Sequence, residues 1–153
     1  MDNEIIIRPY KWQDAIEILE NPNEKGLKNQ KDAIRWAKLN ETEGVGYTAV
    51  YDGKIVGCGG VRIYWEGVGE AWALYPKKVG QMNLDPQIAK KQLYKIIEEH
   101  KLKRIQSTPR CDWPEGLTYS KWLGFKVEGK MEQYLPDGNG GLVDCFLMSI
   151  IKD

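Results

Sequence analysis

Two hydrophobic periods take turns along this chain. Glu4–Arg8 is a short apolar run of strand length, stopped by Pro9. Trp12, Ala15, Ile16 and Leu19 then recur at i, i+3, i+4 and i+7, which predicts a short helix with one apolar face. Asn21-Pro22-Asn23 ends it. A second helix is predicted around Lys31–Leu39, with Ala33, Trp36 and Ala37 on one side. From Gly44 the period shortens to two. Val45–Tyr51 and Lys54–Trp65 flank Asp52-Gly53, a strong hairpin signal because both central positions of such a turn take positive φ. Gly67–Tyr75 follows as a third strand, with Glu70, Trp72 and Leu74 on one face and Ala71, Ala73 and Tyr75 on the other. Pro76 stops it.

The stretch Pro76–Asp85 has neither period and reads as an irregular loop. Asp85-Pro86 then supplies an N-cap and a proline at the first helical position. Ala89, Leu93, Ile96 and Ile97 continue that helix to about His100. Lys103–Thr108 is a short strand, and Glu115–Leu123 a helix closed by Gly124. Phe125–Leu135 and Leu142–Ile151 are strands joined by the turn-rich Pro136–Gly141. The order β-α-α-β-β-β-α-β-α-β-β predicts an α/β domain with a mixed sheet and helices on both faces. Such sheets splay where their parallel and antiparallel parts meet, and ligands favour that point.

Composition narrows the functional classes. The 153 residues are expected to form one domain, 1–153, of ordinary globular make-up, with 42% hydrophobic and 29% charged residues. Lys+Arg and Asp+Glu are both 22, so no overall basic field invites a nucleic-acid backbone. No stretch approaches the roughly 20 apolar residues of a membrane span. Met1-Asp2-Asn3-Glu4 is acidic where a secretory signal is basic, so a cytoplasmic location is expected. Cys58, Cys111 and Cys145 are widely spaced and His100 is the single histidine, which excludes a four-ligand zinc site; no metal is expected. Six tryptophans and eight tyrosines against two phenylalanines suggest clefts or interfaces where a ring carries a polar handle.

Three segments carry a resemblance. Gly69-Glu70-Ala71-Trp72-Ala73-Leu74-Tyr75-Pro76, followed by a Lys/Gly loop and a helix, resembles the fourth strand and acyl-CoA loop of the GNAT acetyltransferases. Trp122-Leu123-Gly124-Phe125 is similar to that family's LGF junction, and Tyr51-Asp52-Gly53-Lys54-Ile55-Val56-Gly57 to its DGKIVG hairpin. The resemblance implies the GNAT-like splayed, mostly antiparallel sheet, acetyl-CoA as co-substrate, and transfer of acetyl to a primary amine by direct attack. The acceptor would be a small-molecule amine, a protein lysine or a protein N-terminus, and the protein a monomer or homodimer. The alternative is a catalytically weak or inactive binding or virion-associated protein, as in small phage-encoded members, which would act in the host cytoplasm.

The same resemblance assigns roles. The backbone of Trp72, Ala73 and Leu74 would pair with the pantetheine arm, with N–H groups there to stabilise an oxyanion. Lys77, Lys78, Val79, Gly80, Gln81 and Met82 stand at the family's pyrophosphate loop. Lys77 and Gly80 match its pattern, while Met82 replaces a small residue; a surface loop with two solvated lysines is the other reading. Glu70 holds the position of the general base that deprotonates the acceptor ammonium. The family's acid tyrosine lies five residues before the phenylalanine of LGF, which here is Ser120; Tyr119 is one residue earlier and turned about 100° away. Ser120 would position a water, or the thiolate leaves unprotonated; Tyr119 reads as core or pocket wall. His100, Cys58 and Cys145 read as structural, and Cys111 has no nearby histidine. Asp112-Trp113-Pro114 would contact substrate or the CoA tail. Trp12, Trp36 and Trp65 lie on elements walling the acceptor side, mostly as core.

Overall fold

A computed structural model describes residues 4–19, 30–76, 85–137 and 139–153. The elements are β1 (Ile6–Pro9), α1 (Trp12–Leu19), α2 (Gln30–Thr42), β2 (Gly44–Tyr51), β3 (Lys54–Trp65) and β4 (Val68–Leu74). They continue as α3 (Gln87–Glu99), β5 (Arg104–Ser107), α4 (Pro114–Leu123), β6 (Lys126–Pro136) and β7 (Leu142–Ile151). The strands form a seven-stranded sheet in the order β1-β2-β3-β4-β5-β7-β6. Every adjacent pair is antiparallel except β4 and β5.

The predicted order of elements holds throughout the described residues, and the Asp52-Gly53 turn has φ of 51° and 73° as the hairpin requires. Boundaries and faces differ in instructive ways. Pro9 does not stop β1 but belongs to it, opposite Tyr47. β1 is an edge strand, where a missing N–H costs no ladder bond. The buried side of α1 is Asp14, Ala15 and Ile18, while Trp12, Ile16 and Leu19 are half-buried. A carboxylate sits inward because it is fully answered. Arg8 grips both oxygens at 2.7 and 2.8 Å, the Thr48 hydroxyl donates at 2.6 Å, and the Lys11 N–H at 3.0 Å. Burial pushes the Asp14 carboxyl up, yet these donors together hold it below its ordinary value.

The sheet separates two apolar clusters. Leu93, Ile96 and Ile97 of α3 meet Val61, Ile105, Met148 and Ile150 on one face, with Leu117 and Leu123 of α4 against them. Ala15, Ile18 and Ala37 of α1 and α2 meet Tyr10 and Cys58 on the other, with Trp36 and Trp72 alongside. At the start of α3, the Asp85 side chain accepts the N–H of Gln87 at 2.9 Å. Gly124 ends α4 at φ 115°, and a Cβ there would strike the Tyr94 hydroxyl, which donates to the Leu123 carbonyl at 2.7 Å. Small size and left-handed backbone are both needed at that junction.

Candidate active site

The chemistry-bearing residues gather where the sheet parts. β4 runs beside β5 only over Val68↔Arg104, Gly69↔Ile105 and Glu70↔Gln106. β5 ends at Ser107, whereas β4 continues to Leu74 and stays paired there with β3 alone. The edge of Ala71–Leu74 that turns away from β3 therefore has no strand partner among the described residues. Two donors in this region are buried without an acceptor among the described residues: the Ser107 hydroxyl and the Trp72 indole N–H. Orphaned buried donors are uncommon in folded proteins, and these two flank the gap.

On the α3 and α4 side of the sheet lies a cavity of about 290 Å³, which Tyr75 joins just past β4. Its walls include Tyr47 and Ala49 of β2, Val56 and Gly57 of β3, Tyr75 after β4, Ile88 and Ala89 of α3, and Trp113 and Tyr119. Gly57 is needed for its shape, since a Cβ would lie 3.0 Å from the Tyr75 ring. The Tyr75 and Tyr119 hydroxyls are 3.2 Å apart. Burial raises the Tyr47, Tyr75 and Tyr119 phenols above their ordinary value, so all three keep their protons at neutral pH. Ser120, next to Tyr119, is buried in α4 and is not among the cavity walls. The Lys77–Met82 segment lies outside the described residues.

The opposite face is polar. Glu70 accepts a hydrogen bond from Gln106 Nε2 at 3.0 Å. Gln106 Oε1 in turn takes Arg104 Nε at 3.4 Å, and Arg104 forks onto Glu128 at 2.7 and 3.1 Å. Ser149 Oγ also donates to Glu128. This relay orients the Gln106 amide, leaving its N–H to fix the Glu70 carboxylate. Arg62 stands directly across from Glu70 on β3. Trp72, two residues along β4, meets Tyr10 and Trp36 edge-on at 4.8 and 5.2 Å between ring centres.

Other candidates fall away from the gap. His100 caps α3 and is exposed. Cys58 is buried and its thiol is pushed up to about 12, chiefly by burial. Cys145 is buried as well, and Cys111 is half-exposed in the loop before α4. Trp12 and Trp36 pack on the second cluster, but Trp65 is 67% exposed and belongs to no core; β2 stops opposite Arg62, and Trp65 is paired only with Val68 of β4. Arg62, Gln106 and Tyr134 carry no motif in the sequence, and Tyr75, though inside the Gly69–Pro76 segment, was given no role there. Their only signal was strand register, which needs the pairing partner to be known.

No family model matches the chain, and no curated protein matches it. Solved structures do. A chimera of the Vibrio cholerae spermidine N-acetyltransferase SpeG with hSSAT superposes with TM-score 0.74 at 12% identity, covering 96% of this chain and 95% of that one. The ribosomal-protein-S5-alanine acetyltransferase from Vibrio fischeri gives 0.73 at 17% identity, over 100% and 95%. A GNAT-family acetyltransferase from Bacillus anthracis gives 0.69 at 19%, over 96% and 94%. The chain has the GNAT acetyltransferase fold.

Proposed function

We propose that this protein is an acetyl-CoA-dependent N-acetyltransferase acting on a primary amine. The observation that carries the reading is the parting of β4 from β5 directly after Glu70. It leaves a free strand edge beside a half-buried carboxylate, and Tyr75, just past that edge, leads into a phenol-lined cavity. The residues present suit a pantetheine arm: the open edge of Trp72–Leu74 offers backbone groups, and Ser107 and Trp72 bring unanswered donors. Lys77–Met82 would take the pyrophosphate. Bound there, acetyl-CoA supplies an activated acyl carbon.

Glu70, directly or through water, takes a proton from the acceptor ammonium, whose ordinary pKa is about 10.4. The freed nitrogen attacks the acyl carbon, a C–N bond forms and the C–S bond breaks. N–H groups of the β4 edge stabilise the oxygen's transient charge. The departing sulfur takes a proton from solvent or from Tyr119, which lines the cavity with its hydroxyl against that of Tyr75; Ser120, buried in α4, acts through packing. Thermal shift with acetyl-CoA, followed by free-thiol release across a panel of amines, tests the reading. A raised midpoint and amine-dependent thiol release are expected. No shift and no release would overturn it.

A further inference from the structure

Arg62 has more donor capacity than the fold uses. Its Nε is buried without a partner. Its one carboxylate neighbour within 4 Å among the described residues is Glu43, reached at 3.7 Å by Nη2 from a side chain itself 58% exposed. A pair that long and that wet contributes little to stability. The guanidinium also lies 5.9 Å over the Tyr64 ring. Arg62 nevertheless stands opposite Glu70, where directly paired residues hold their Cβ atoms roughly 4.5–5.5 Å apart. The two side chains make no salt bridge with each other within 4 Å, so a cation and an anion stand side by side on one face of the sheet.

A second feature closes this face. Between Met131↔Cys145 and Leu135↔Val143, β6 carries two residues more than β7, and Gln133 is held at φ 48°. Asp144 accepts the Gln133 N–H at 2.8 Å and fixes the bulge. Bulges re-aim side chains, and a non-glycine residue in the left-handed region is a local strain. Its product is Tyr134, which is half exposed and close enough to Glu70 and Arg62 to feel both charges. Tyr64 feels the same two charges from β3.

We infer that this face takes an acceptor whose amine carries a carboxylate within a carbon or two, that is, an amino acid. Arg62 binds the carboxylate, Glu70 the ammonium, and Tyr64 and Tyr134 form the rim. A polyamine would meet a guanidinium where it needs a second anion. A cation-plus-carboxylate zwitterion answers both charges, and planar carboxylate recognition is what a guanidinium fork does best. This inference rests on the acyl-transfer reading for its place in the reaction, but not for its test.

The experiment titrates amino acids, each with its own carboxamide, and spermidine into the protein without any acyl donor, by calorimetry. At least one amino acid is expected to bind about tenfold more tightly than its amide, as loss of a charged, bidentate contact predicts. Arg62→Gln should remove that preference while leaving the amide's affinity unchanged, and Arg62→Lys should restore part of it. Glu43→Gln should leave the preference intact. Acid and amide binding alike, spermidine binding best, or Arg62→Gln weakening acid and amide equally would each overturn the inference. Thiol release, measured separately, distinguishes the two readings. Acid-selective binding with no thiol released for any amine sinks acyl transfer and leaves this site standing. Thiol release that ignores the carboxylate does the reverse.

Discussion

The two faces of the sheet, where β4 leaves β5, are made of opposite materials. On the α3 and α4 side the walls are mostly aliphatic and aromatic, with Asp85 and Glu115 also among them, and burial raises the three phenols further above their ordinary value. On the α1 and α2 side, a hydrogen-bonded relay runs from Glu70 through Gln106 and Arg104 to an exposed Glu128, and Arg62 stands opposite Glu70 on β3. A thioester and its pantetheine arm are largely uncharged and are best held dry. An ammonium acceptor must arrive from water and lose a proton to a carboxylate. On the proposed reading, the dry side of the sheet would hold the donor and the polar side would receive the acceptor.

The comparison is broken most severely at Glu70. Glu70→Gln keeps the shape and removes basicity, so turnover should fall by roughly 10²–10⁴ while acetyl-CoA affinity stays the same. Steady-state kinetics with a calorimetric titration check this, and full turnover would place the base elsewhere. Asp14 sharpens the contrast, because it is a carboxylate on the same side with a purely structural setting. Asp14→Asn should cost about 1.5–3 kcal/mol of stability, the range for hydrogen bonds to a charged group, measured by denaturant midpoint. Since its folded pKa lies below the ordinary value near 3.9, its contribution is complete above that pH and is lost as pH falls through the folded value. The Asn variant should therefore lose this part of the acid limb of the stability curve.

On the donor side the effects are smaller. Replacing Lys77 and Lys78 together by Ala should weaken acetyl-CoA binding by roughly 10–100-fold with little change in saturated turnover. Unchanged affinity would remove that loop from the donor site. Tyr119→Phe should slow turnover by about tenfold, because a thiolate with a conjugate-acid pKa near 8.5 leaves without much help. Ser120→Ala should do less still. If Ser120→Ala were the more damaging, with circular dichroism unchanged, the assignment of the cavity face of α4 would be wrong.

The elements of this protein were legible along the chain because their causes are local. The Asp52-Gly53 turn, the period-two run through Glu70 and Trp72, and the glycine closing α4 each depend on neighbours within a few residues. Glu70 itself could be singled out because its strand resembles the fourth strand of the GNAT acetyltransferases. Its partners could not. Gln106 is 36 positions away and reaches Glu70 only because β5 returns parallel to β4. Arg62 became its neighbour through the register of a hairpin, and a one-residue slip would have sent that guanidinium to the other face. Tyr134 depends on a bulge whose anchor, Asp144, lies on a different strand. Asp14 was hidden for a related reason: helical spacing marks apolar residues as inward, and only the folded positions of Arg8 and Thr48 let a carboxylate join them. Periodicity decides which face of an element is dry; which charges meet across the gap is decided by pairing between segments far apart in the chain.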